Sequence, residues 1–81
     1  MIIRESKGFI NAMKHVKNKE LKKRIFKQVE KMIKNPDVGK PMKHERKNTR
    51  EVYIKSLRLS YMYSKEKNRI ILLDLYHKDE Q

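Results

Sequence analysis

Glu51-Val52-Tyr53-Ile54-Lys55-Ser56-Leu57-Arg58-Leu59-Ser60-Tyr61-Met62-Tyr63 is the stretch whose reading decides the fold. Val52 and Ile54 alternate with Glu51, Tyr53 and Lys55. Leu57, Leu59, Tyr61 and Tyr63 alternate with Arg58, Ser60 and Met62. A period of two means a strand with one buried face, so the segment reads as two half-buried strands. Downstream, Ser64-Lys65-Glu66-Lys67-Asn68 is a polar turn, and Arg69–His77 is apolar on both parities at Ile70–Leu73, as expected of a central strand.

Upstream the period changes. Phe9, Ile10, Ala12, Met13 and Val16 form one apolar stripe of a helix that Ser6 can cap. From Lys19 to Lys34, Leu21, Ile25, Phe26, Val29, Met32 and Ile33 recur at helical spacing, with lysines opposite and Asn18 as the cap. Asn35-Pro36-Asp37 ends this helix, because proline disfavours helix at the preceding residue. The few residues between the helices predict an antiparallel helical hairpin. Met1–Glu5 is short and β-prone, and Lys40–Arg46 can add a ragged strand. The expectation is one α+β domain over residues 1–81. Its order is β-α-α-β-β-β, with two N-terminal helices on one face of a small, mostly antiparallel four-stranded sheet.

Composition narrows the function. The 81 residues hold 22 Lys+Arg against 10 Asp+Glu, a net charge of +12. Residues 1–35 carry +8 of it. Such a field attracts polyanions. The absence of cysteine excludes disulfide and thiolate-zinc scaffolds, and His15, His44 and His77 lack metal-site spacing. No metal or cofactor is expected. Ile70–Leu73 is the longest apolar run, far short of a membrane span or a signal-peptide core, so a cytoplasmic location without membrane partners is expected.

Parity selects a candidate site. With Leu57, Leu59, Tyr61 and Tyr63 under the helices, Arg58, Ser60 and Met62 face away. On the last strand Ile71, Leu73 and Leu75 share the core parity, while Asp74, Tyr76 and Lys78 share the open face with Arg58. Tyr53 and Lys55 also point outward. His77 has core parity at a strand end, where its ring can turn to either side. Cations with rings on one open face suit RNA: charge for phosphate, rings for bases.

The segment from Arg50 to Tyr61, a strand, a turn and then a hydrophobic-Arg-x-x-Tyr pattern, resembles the core of the RelE/ParE toxin superfamily. Ser6-Lys7-Gly8-Phe9 resembles that family's first-helix start. Asn35-Pro36 with Gly39-Lys40-Pro41-Met42 resembles its link into the sheet, and Leu75-Tyr76-His77-Lys78-Asp79-Glu80 its closing strand and basic tail. The resemblance implies a toxin of a type II toxin–antitoxin system that inhibits translation by ribosome-dependent mRNA cleavage. Its implied partners are a cognate antitoxin, the ribosome and mRNA. It implies Arg58 at the scissile phosphate, with His77 and Lys78 at tail positions, as catalytic residues. Lys43, Arg46 and Lys55 fall where active members carry basic residues, and Tyr53 and Tyr76 complete the RNA-binding set. A ParE-like gyrase inhibitor, or a catalytically inactive basic RNA-binding domain, is the alternative.

In chemical terms, 2′-OH attack needs a base, a cation for the developing phosphorane charge and an acid for the leaving 5′-oxygen. His77 titrates in the useful range. Lysines crowded by like charge can share that role. Arg58 offers a planar fork for phosphate oxygens. Asp74 is an acidic member of the same face.

Overall fold

A computed structural model of the chain describes residues 1–42 and 47–80. Its order is β1 (Ile2–Glu5), α1 (Lys7–Lys14), α2 (Lys19–Lys34), β2 (Lys40–Pro41), β3 (Thr49–Ile54), β4 (Leu57–Ser64), β5 (Arg69–His77) and a 3₁₀ turn (Lys78–Glu80). Both caps form as expected. Ser6 Oγ accepts from Phe9 N at 3.1 Å, and Asn18 Oδ1 accepts from Leu21 N at 3.0 Å.

The sheet has five strands, in the order β1-β5-β4-β3-β2, and not the expected four. The fifth is β2, whose two residues pair antiparallel with Arg50 and Glu51. Two residues are too few to leave a periodic signal. Of the rest of the expected ragged strand, Met42 follows β2 and donates its N–H to Thr49 O at 3.1 Å, and Lys43–Arg46 lie outside the described residues. β1 pairs parallel with β5, from Ile2 opposite Arg69 to Glu5 opposite Leu72. The remaining neighbours are antiparallel.

α1 packs on β5 and α2 on β3. Phe9, Ile25 and Met32 enter the core from the helices and meet Val52, Ile54, Leu57, Leu59, Tyr61, Ile70, Leu72 and Leu75 from the sheet. Burying an aliphatic side chain such as Ile25 is worth about 1.5–3 kcal/mol. The helical stripe read from the sequence is wider than the buried one. Ile10, Phe26 and Ile33 lie on its outer margin and are exposed.

Parity on β5 needs correction. Ser60 pairs with Asp74, but Tyr61 pairs with Leu72, so Leu73 has no partner on β4. This bulge inverts the faces N-terminal to it. The core takes Ile70 and Leu72, and not Ile71 and Leu73, together with Leu75.

Candidate nucleic-acid interface

A two-residue turn, Lys55-Ser56, sets the register of β3 on β4. Ile54 lies opposite Leu57, and therefore Tyr53 opposite Arg58. β5 adds Tyr76 opposite Arg58 from the other side. The result is one row, Tyr53–Arg58–Tyr76, on the face away from the helices. Arg58 Cζ stands 3.8 Å from the centroid of the Tyr53 ring. That cation–π contact is worth about 0.5–1 kcal/mol at an exposed site. One donor, Nη1, reaches back to Leu57 O at 3.5 Å, and the other N–H groups of the guanidinium can meet an anion.

The neighbouring row is Glu51–Ser60–Asp74. The Tyr76 hydroxyl donates to Glu51 Oε2 at 2.7 Å, tying the two rows together. Glu51 was not singled out from the sequence, where it is one polar member of an alternation. Its one legible signal is that it shares parity with Tyr53, two residues away. Asp74 Oδ1 accepts from Leu75 N at 2.8 Å.

The other candidates are distributed around this row. His77 lies opposite Leu57 and lines a groove with His15, Val16, Leu21 and Leu75 on the helix side, so the structure does not bring it to Arg58. Lys78 opens the 3₁₀ turn, and its backbone N–H donates to Ser56 O at 3.0 Å, docking the strand end on the β3–β4 turn. Lys55 is exposed at that turn with φ of 55° and borders α2. Lys43 and Arg46 lie outside the described residues.

A second arginine has a structural partner set. Arg50 Nη1 donates to Gly39 O at 2.7 Å and to Asp37 O at 3.2 Å, and Nη2 pairs with Asp37 Oδ1 at 3.3 Å. Beside it the Tyr61 hydroxyl accepts from Gly39 N and donates to Pro36 O. Burial raises the Tyr61 phenol above its ordinary pKa, and the bond from Gly39 and the charge of Arg50 oppose that rise. Among the described residues, no group of three or more His, Asp or Glu side chains could hold a metal ion, and no helix is long and apolar enough to cross a membrane.

A helical pair on one side of a five-stranded mixed sheet, with an arginine–tyrosine row on the other, defines the class: a small basic α+β domain. The family model described as "ParE toxin of type II toxin-antitoxin system, parDE" matches residues 5–81. The chain belongs to this family, and is a type II toxin–antitoxin toxin of the RelE/ParE superfamily. Among solved structures, it superposes on a chain of the intact Escherichia coli RelBE toxin–antitoxin complex with a TM-score of 0.80, at 10% identity and with 94% of each chain covered. A metal-bound toxin from Helicobacter pylori gives 0.78 at 24% identity, covering 99% of this chain and 97% of that one. The RelB–RelE complex from Methanococcus jannaschii gives 0.73 at 20%, covering 94% and 91%. Such identities speak to the fold. No curated protein gives a significant match.

Proposed function

We propose that the chain stops translation by cutting mRNA on the ribosome, with the face around Arg58 as the cutting site. The observation that carries this reading is the half-buried Arg58 guanidinium held over Tyr53 at 3.8 Å, with Tyr76 opposite. In the reaction the 2′-oxygen bonds to the adjacent phosphorus and the P–O5′ bond breaks, giving a 2′,3′-cyclic phosphate and a 5′-hydroxyl. Arg58 offsets the charge that grows on the phosphoryl oxygens. Glu51, positioned by the Tyr76 hydroxyl, accepts the 2′-OH proton. Lys78, which follows the end of β5, supplies the proton for the 5′-oxygen. His77 sits over the helix-side groove, so its removal is the one this reading best survives. Tyr53, Tyr76, Lys55, Lys43 and Arg46 bind the RNA chain. The ribosome holds mRNA in a reactive geometry, which a sparse site requires.

The same reading places the chain in the cytoplasm, and gives it a cognate antitoxin, as the RelBE assemblies of similar fold support. In a cell-free translation reaction with mapped mRNA ends, Arg58→Ala lowers cleavage by about 10²–10³-fold. Glu51→Gln gives a comparable loss, and His77→Ala a smaller one. Wild-type cleavage by Arg58→Ala refutes the site. The match to a ParE family model favours one second reading, inhibition of DNA gyrase. Intact mRNA together with blocked supercoiling would establish it.

A further inference from the structure

We infer that the outer edge of β3 carries a second RNA contact: a groove between α2 and the Lys55 turn that holds the phosphate backbone of single-stranded RNA flanking the segment at Arg58. This rests on the reading of the Arg58 face as an RNA site.

Arg24, Lys27, Gln28 and Lys31 line the groove from α2, with Tyr53 and Lys55 from the sheet. The helical four are spaced three, four and seven residues apart, which puts them on one face over about 10 Å of helix. The sheet leaves this edge to them. β2 pairs only with Arg50 and Glu51, so among the described residues no strand flanks Val52–Ile54 on the outer side. Tyr53 joins the groove to the Arg58 row. One ring face carries the guanidinium, yet the residue is still 51% exposed and also borders the groove.

Lys55 supplies an independent observation. Its φ of 55° is a left-handed conformation that glycine or asparagine adopts at less cost. A lysine there gives up backbone ease and puts a cation at the mouth of the groove. Among the described residues, no acidic side chain lines the groove, and Ile54 is its sole aliphatic one. An anionic ligand fits. An acidic amphipathic helix fits poorly, because such a partner needs apolar pockets for its anchors. A phosphate chain, read by charge and one ring, needs none.

The test measures binding of the full chain to a short (about three-nucleotide) and a long (about twelve-nucleotide) oligouridine, both blocked at the 2′-oxygen. Arg24→Ala, Lys27→Ala and Lys31→Ala are combined. For the long RNA, affinity falls about tenfold or more and the slope of log affinity against log salt falls by about two. Affinity for the short RNA stays within about twofold. Lys55→Gly also weakens the long RNA, with an unchanged or higher melting midpoint. A control of equal charge, Lys14→Ala with Lys65→Ala and Lys67→Ala, leaves both affinities close to wild type. The inference is overturned if the triple variant binds the long RNA like wild type, if the control loses as much, or if the short RNA loses as much. Loss of antitoxin binding with RNA binding intact overturns it in favour of a protein partner. Failure of the Arg58 site shows separately, as short-RNA binding and cleavage that Arg58→Ala leaves unchanged.

Discussion

Tyr61 shows how much one side chain organises at the residue scale. Its ring is fully buried, and its hydroxyl bonds Gly39 N at 2.9 Å and Pro36 O at 2.7 Å, so the link from α2 into β2 closes on the sheet. Gly39 is held to glycine by that approach. A Cβ there would lie 2.6 Å from the Tyr61 hydroxyl oxygen and 2.7 Å from Cε1. Gly39→Ala is therefore expected to lower stability by about 1–3 kcal/mol in urea unfolding. The raised phenol pKa gives a pH prediction. Above the unfolded value of 10.0 the unfolded chain loses this proton first. The stabilisation is then complete below that pH and declines as pH rises through the folded value. Urea midpoints of wild type minus Tyr61→Phe, measured from neutral to strongly alkaline pH, isolate the effect from the lysines. The sequence shows Tyr61 as core by its parity with Leu57 and Leu59. Its partners are backbone atoms 22 and 25 residues away, and no pattern of side chains announces them.

At the scale of elements, the bulge in β5 and the start of α1 form one device. Leu73, unpaired on β4, turns its carbonyl to the Ser6 hydroxyl, which in turn accepts from Phe9 N. Ser6→Ala removes a cap and a bulge tether together, and is expected to cost about 1–2 kcal/mol, read as a lower urea midpoint. A following Gly8 keeps the approach close, since a Cβ would stand 3.2 Å from Leu73 O. The alternation of Glu51–Tyr63 was legible because both strands keep one parity through Ser60. Arg69–His77 is apolar on both parities, so its sequence cannot show where a residue is skipped, and the expected core of Ile71 and Leu73 fell one place out. The same hidden slip does not disturb Arg58, Tyr53 and Tyr76, which lie on the turn side of it. That is why the row was readable and the upper half of β5 was not. His77 also kept its parity, and that parity puts it beside the helices.

For the whole molecule, the charge of +12 acts on folding and binding with opposite signs. Repulsion within the basic half opposes compaction, and added salt screens it. Salt also removes the counterion-release gain of RNA binding. Raising the salt concentration about tenfold should raise the melting midpoint of the free chain while weakening its RNA affinity. Two curves measured on one sample check this. A charge that served stability alone would not produce opposed slopes. Net charge and its skew toward residues 1–35 were plain from the sequence. The path that joins Arg58 to α2 around the β3 edge was not, because it depends on which side of the sheet lacks a strand.

The parallel pairing of β1 with β5 has a consequence in time. β5 sits between β1 and β4, so the first strand made has no neighbour until nearly the last has emerged. Pairing across so much chain is slow, and nothing shorter substitutes for it. A chain still lacking β5 therefore lacks both this parallel pairing and the β4–β5 pairing. Tyr76 joins the row with Arg58 only once β5 is in place, so the open face is assembled by the same late event that anchors the first strand.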